Sequence, residues 1–487
     1  MNRRTFIQAA AGTISGLTTR FGLTETDRRV AVLLKWLENA QRERIPREVV
    51  RMIRTGLRYE DLLAVLSLAA ARNVQPYPEV GYKYHSVMVL RSIHMTTQHL
   101  SGADKWYPIV WAADYFKATQ AQEQAAGGWR LPTNLAASAS NSQATRRALV
   151  SALDKWDRDA ADAAIVKYAQ VASPDEIFSV LFPYGARDLR AIGHKAITVS
   201  NAHSLIELLG GAQAEPILRS TVSALQNSGA DPNPASHHLQ PDEPWRQNQK
   251  SLQEIPQSWK RGRDDPGARR ELRAALYQVS EAAAGTIVVA MLQKGIAPET
   301  IWQALFDMAA ELLLRQPSFV LLHAQTTANA LHYAYRVCGD EPTQQLMLLQ
   351  CAAFIAMFRR LVGAAQSDLS LDALQPLPLD NTGGDALTEI FSDLSAGHRL
   401  QAARKSLGYL QNGGDPAPLI ATARHHLVYN ADEVHDYKYC EAVFDNYAHL
   451  ADSASRYRFL SAGMAYFKAP ARRPGPVVED MMDLLKS

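Results

Sequence analysis

Fourteen histidines occur in 487 residues, and eight of them fall into four pairs of identical spacing. His85 and His94, His194 and His203, His323 and His332, and His426 and His435 are each H-x8-H. The leading members are separated by 109, 129 and 103 residues. Imidazole is a ligand of iron, zinc, copper and nickel rather than of magnesium or calcium. A helix advances about 100° per residue, so nine residues set the two members of a pair on roughly opposite faces. One pair cannot close on one ion, but four helices each aiming one imidazole at a shared centre can. A lone helix histidine is ordinarily a surface or satisfied core residue. Fourfold recurrence is harder to assign to packing, because other side chains replace a packing histidine readily.

The elements that would carry these histidines are helical. The second pair lies in GHKAITVSNAHSLIELLG, from Gly193 to Gly210, an apolar-periodic run closed by glycine. Around each pair the order repeats: one helix before the histidine segment and one after it. Residues 56–72 and 106–122 flank the first, 173–187 and 214–226 the second, 297–314 and 341–361 the third, 398–411 and 453–469 the fourth. Strand signals are scarce. The expected fold is therefore all-α, with repeated multi-helix units packed into one large helical domain around a central metal site. The units span about 24–125, 145–227, 268–362 and 385–470 of a domain covering 24–470. The Pro-rich, polar segments 228–267 and 366–385 read as linkers or lids, and 471–487 as a C-terminal tail.

Composition narrows the function classes. The net charge of +2 offers no basic surface for nucleic acid, and no apolar run approaches the roughly 18 residues of a membrane span. Three cysteines, Cys338, Cys351 and Cys440, form no C-x-x-C zinc, redox or haem motif. The N-terminus, MNRRTFIQAAAGTISGL, resembles a twin-arginine export signal without a clean A-x-A cleavage site. Residues 1–23 are set apart from the fold on that ground. The expected location is periplasmic or exported, and otherwise cytoplasmic.

Small polar residues share a helical stripe with two leading histidines: Thr198 and Asn201 follow His194 at four and seven residues, and Thr327 follows His323 at four. They could orient ligands or substrate; equally, a threonine hydroxyl commonly bonds back to its own helix. In the fourth segment Lys438 lies three residues after His435, with Asp432 three before it. The lysine is either an exposed ion-pair partner or a group facing a metal. In the latter position it would lose its proton or be chemically modified.

Four pieces of the chain, YHSVMVLRSIH (84–94), IGHKAITVSNAHSLIELLG (192–210), FVLLHAQTTANAL (319–331) and ADEVHDYKYCEA (431–442), occur in this order. They resemble the motifs of the questin oxidase-like family: an early paired-histidine helix, a G-H or F-H helix, an H-x-x-T segment and a late D-[DE]-x-H-x-x-K segment. The resemblance implies an all-helical non-haem iron oxygenase. Four histidines and a carboxylated lysine would hold Fe2+, here His85, His194, His323, His435 and Lys438, with His94 the reserve for His85. Asp432, Thr198, Thr327 and Asn201 would surround that centre. The implied partners are a small organic, cyclic or aromatic substrate, admitted under the 228–267 loop, and O2. Two other classes compete: a non-enzymatic helical-repeat scaffold, and a zinc-dependent hydrolase on the same site. The oligomeric state has no signature in the sequence.

Overall fold

Apolar residues recurring every three to four positions, begun by Ser, Asp, Asn or Pro, make helices along the whole described chain. The structure is a computed structural model that describes residues 25–77, 82–132, 141–187, 189–226, 232–234, 236–237, 239–362, 369–379, 386–451 and 453–486. The export signal expected over 1–23 lies outside these residues. Helix starts show why they form where they do. Ser173 caps one helix by accepting from the Glu176 amide while the Glu176 carboxylate accepts from the Ser173 amide, a reciprocal capping box. Asp157, Asp265, Asp340 and Asp415 cap others through a side-chain oxygen. Among the described residues, pairing of the β type is confined to one isolated bridge, Arg263 with Ile296.

The first stretch holds α1 (Glu25–Asn39), α2 (Ile45–Arg54), α3 (Tyr59–Asn73), α4 (His85–Met88), α5 (Leu90–Thr97) and α6 (Tyr107–Ala125). The second holds α7 (Ser142–Lys155), α8 (Arg158–Tyr168), α9 (Pro174–Ala186), α10 (His194–Leu209) and α11 (Ala214–Leu225), followed by α12 (Glu243–Ser251). The third holds α13 (Pro266–Leu276), α14 (Glu281–Gln293), α15 (Pro298–Arg315), α16 (Leu322–Val337) and α17 (Glu341–Arg360). The fourth holds α18 (Ala386–Ser395), α19 (Arg399–Gln411), α20 (Pro416–Asn430), α21 (Val434–Ala448) and α22 (Ser453–Ala462), and α23 (Pro476–Lys486) ends the chain. All pack into one large helical domain around a single apolar core. At its centre α10 packs on α16, α16 on α21, α21 on α5, and α5 with α4 back on α10. The four histidine segments thus form a closed ring of helices.

The fold departs from the sequence reading in three places. The fourth histidine pair does not share a helix. The chain leaves α20 at Asn430 and starts α21 at Val434, where Glu433 and Asp436 form a second reciprocal cap. His426 therefore belongs to α20 and packs on Phe391. The tail expected over 471–487 carries α23, which packs on α2 and α6. The expected lid over 228–267 is largely packed structure. Trp245 and Trp259 are buried, Asn248 donates to Gln350 across 2.7 Å, and α12 lies on α14 and α17. A Pro-rich, polar composition hid two tryptophans that anchor the segment.

That anchoring is testable. Trp259 is 2% exposed, and its indole N–H donates to Glu341. Truncation to alanine should cost about 3–5 kcal/mol, as for a large core side chain. Chemical denaturation reads the difference, and a change below about 0.5 kcal/mol, the usual surface range, would mark the segment as a loose cover.

Candidate metal centre

The starts of the four inner helices converge, and each carries a histidine at its first or second position. His85 and His194 are the first residues of α4 and α10; His323 and His435 are the second residues of α16 and α21. All four are buried, and one ligating nitrogen from each lies within 4.8 Å of the other three. The rings meet edge to face in chain order. Centroids are 4.9 Å apart for His85–His194, 4.7 Å for His194–His323, 5.0 Å for His323–His435 and 4.7 Å for His435–His85. The other members of the first three pairs lie nine residues on, about 13.5 Å along their helices, in unrelated surroundings. His94 faces Tyr59, His203 bonds the Tyr333 hydroxyl at 2.8 Å, and His332 packs between Trp302 and Phe306.

The donor chemistry fits a metal ion. His323 donates from Nδ1 to the Phe319 carbonyl (2.7 Å), and His435 donates from Nδ1 to the Glu433 carboxylate (3.1 Å). Both bonds fix the tautomer that leaves the Nε2 lone pair facing inward. His323 Nε2 sits 2.9 Å from His194 Nε2, a distance at which two lone pairs repel unless a proton or a cation lies between them. Buried His435 Nε2 has no hydrogen-bond partner among the described residues. Burial, then the neighbouring Lys438 and the other imidazoles, hold His85 well below the ordinary histidine range. His323 is held there by burial, His194, Lys438 and His435. Burial also lowers His435, against the pull of Glu433. Neutral imidazoles are the form that binds metal.

Lys438 stands one turn after His435. It is 3% exposed, and its Nζ has no hydrogen-bond partner among the described residues. Burial pulls its ammonium down to about 7, with Glu433 opposing. This is not the solvated ion-pair lysine that a charged residue between two acids suggests.

The residues expected around the histidines fall into three groups. Thr327 and Asn201 tie helices together: Thr327 donates to the Ile192 carbonyl (3.2 Å), and Asn201 donates to the Met88 carbonyl on α4. Thr198 is buried one turn after His194, and its hydroxyl has no partner among the described residues. Asp432 faces outward. Its side chain is 79% exposed and pairs with Lys468 at 2.9 Å. The three-residue spacing to His435 has no helical meaning there, because α21 starts only at Val434. The carboxylate at the histidine is that of Glu433, the adjacent acid of the same D-E-x-H segment, and Tyr466 donates to its other oxygen at 2.9 Å. An acidic helix cap two residues before a histidine was the signal that could have found it.

Gly193 was a second missed residue. It lies at φ +84°, and a Cβ there would come within 1.9 Å of Thr327 Oγ1. Ile192 before it holds φ +42°, a strained value for a β-branched residue. The strained pair lets α10 begin with His194 turned inward, and Thr327 clamps it. Phe319 was a third: the residue is 56% exposed, yet its ring centroid lies 6.0 Å from that of His435 and 6.3 Å from that of His323.

Two outcomes follow from this geometry. Gly193→Ala should unseat His194, lowering the protein's capacity for Co2+ in an equilibrium titration at least tenfold, whereas unchanged uptake would show that the turn does not position the ligand. Acid should also destabilise the metal-free fold. His85 and His323 resist protonation when folded but titrate near 6.5 when unfolded. The stability these two groups contribute is therefore complete above about pH 6.5 and falls below it, by about 2.7 kcal/mol per pH unit for the two together. Urea midpoints at pH 7, 6 and 5 measure this, and a flat profile would contradict neutral buried imidazoles.

No protein-family model, curated protein or solved structure matches the chain. What the centre does has to be read from its own residues.

Proposed function

We propose that the protein is a metal-dependent enzyme, a non-haem iron oxygenase that oxidises a small organic, cyclic or aromatic molecule with O2. The observation that carries this reading is the closed ring of four buried imidazoles with ligating atoms within 4.8 Å of one another. Four nitrogen donors satisfy a tetrahedral zinc ion completely and leave it no open position for chemistry. Iron takes further ligands and so keeps reactivity beyond four histidines. Bound there, iron would supply the capacity to bind and activate dioxygen. The resemblance of the histidine segments to questin oxidase-like motifs supports the same reading. A structural zinc site in a helical scaffold is the alternative favoured by the four-nitrogen set.

The chain's own groups have definite tasks in this scheme. The Phe319 carbonyl and the Glu433 carboxylate hold two imidazoles in the ligating tautomer. Lys438 has a buried amine whose proton is easily lost, the form that attacks CO2. Its nitrogen bonds to the carbon, a proton leaves, and the product is a carbamate with an anionic oxygen. That oxyanion would be the fifth ligand and would offset part of the charge that four neutral imidazoles leave uncompensated. Thr198 has a buried hydroxyl with no partner among the described residues, one turn after His194, and Asn201 and Thr327 hold the helices in register. The twin-arginine-like start supports export of an already folded, metal-loaded protein.

Purified protein should hold about one iron per chain, and His194→Ala or His323→Ala should each remove most of it by elemental analysis. Lys438→Ala should lose O2 consumption and regain part of it with added formate or acetate, while Lys438→Arg should not. Zinc at one per chain with no reaction toward O2 would favour the structural alternative.

A further inference from the structure

A cavity of about 610 Å³ lies where three parts of the chain meet: the turn leading into α2, the middle of α6, and the α20–α21 link with the segment 471–480. Its size is that of sites for small organic molecules, and none of the four clustered histidines lines it. The segment 471–480 is fastened in place. The Gly475 amide donates to the Tyr429 carbonyl at 2.8 Å, and α23 packs on α2 and α6. Trp111 and Tyr115, one turn apart on α6, line the cavity with parallel rings, 5° between planes and 5.5 Å between centroids. Trp111 rests on the fully buried Tyr437, with centroids 5.1 Å apart, so the aromatic pair is held from beneath.

The groups around this aromatic floor offer both donors and acceptors. Carboxylates of Glu43, Asp114, Asp432 and Asp480 line the cavity together with the guanidiniums of Arg42 and Arg473. Arg42 grips Asp114 through two bonds of 2.8 Å, and Asp432 pairs with Lys468 at 2.9 Å. Much of the charge is thus already compensated, which weakens the pull on an organic cation, and the remaining acidic excess disfavours an anion. The Trp111 indole N–H makes no hydrogen bond among the described residues. It can only donate, so it calls for an acceptor, which an ammonium lacks. A hydroxyl accepts from an N–H and donates to a carboxylate, and so suits both kinds of group.

We infer that this cavity is a binding site for a neutral hydroxylated aromatic molecule, a phenol whose rings pack against Tyr115 and Trp111. Its hydroxyls bond to the indole N–H and to the carboxylates of the lining, while the ring contacts recognise its body. The site is separate from the four histidines and stands whether or not a metal binds among them.

The test is calorimetric titration of the full chain under nitrogen with a dihydroxynaphthalene whose hydroxyls sit at the outer edges of the two rings, too far apart to chelate an ion. Naphthoate and naphthylmethylammonium present the same rings with a negative or a positive charge. The diol should bind saturably and at least about tenfold more tightly than either ion. Tyr115→Ala should weaken it at least about fivefold through loss of the ring contact. Trp111→Phe keeps a ring on Tyr437 and should weaken it about fivefold, the share of one hydrogen bond. His194→Ala should leave its affinity within about twofold, as for a residue outside the site. No saturable binding would overturn the site, and equal affinity for either ion would overturn the ligand class. Unchanged affinity in Tyr115→Ala would overturn the location, and in Trp111→Phe the role of the indole N–H. Loss of binding in His194→Ala would move the phenol to the histidine centre and overturn a separate site. Metal content, measured on the same samples, tests the metal reading independently of all of these.

Discussion

Four imidazoles brought together away from water must be neutral, and four helices must begin where they meet. Those two requirements shape most of the surrounding structure. Charged imidazoles at centroid separations of 4.7–5.0 Å would repel strongly in a low-dielectric interior. Burial removes the charge, as the depressed proton affinities of His85, His323 and His435 reflect. The Nε2 atoms of His194 and His323 lie 2.9 Å apart, close enough to share a proton or a cation. A shared cation would take the inward lone pairs of the four rings as its ligands. The same helix starts that raise the local positive potential also disfavour imidazolium, so dipoles and burial act in one direction.

Register among the inner helices is held by polar contacts that apolar packing alone would not fix. Thr327 reaches from α16 to the turn before α10, and Ser200 reaches back from α10 to the Ala330 carbonyl at 2.8 Å. Further along, Asn329 on α16 donates to Asp445 (2.8 Å) and Asn446 (2.9 Å) on α21, and Arg91 on α5 approaches Asp445 at 3.4 Å. Thr96 on α5 donates to Glu441 of α21 at 2.9 Å, and Arg424 meets the same carboxylate through two nitrogens. Such buried networks penalise any slip of one helix against its neighbour, because a slip would strand charged groups without partners. A ligand ring needs that precision, since a metal tolerates only a few tenths of an ångström in its bonds.

Much of this was legible in the sequence, for identifiable reasons. Helical periodicity and caps are local properties, so the all-α fold and the helices flanking each histidine segment could be read directly. The leading histidines of three pairs stood out because each opens a helix after a recognisable break. The fourth pair is not one helical unit: its H-x8-H spacing straddles the α20–α21 turn, and His435, the member that the motif resemblance singled out, is the counterpart of His85, His194 and His323 because it too stands at the start of its helix. Asp432 was favoured over Glu433 by a periodicity that does not extend past Val434. Trp245 and Trp259 were obscured by the prolines and charges around them, which read as a linker. Phe319 and the strained Ile192–Gly193 turn depend on long-range packing against α21 and Thr327, and a single sequence carries no trace of that.

The central claim is that the four histidines bind one metal ion together. X-ray diffraction from crystals of the purified protein, with anomalous data collected on either side of the iron absorption edge, tests it most directly. The account predicts one anomalous peak per chain, bonded to nitrogens of His85, His194, His323 and His435 at about the 2.0–2.1 Å of imidazole–metal bonds. A peak beside only one or two of these rings, or no peak in protein supplied with iron, would contradict it.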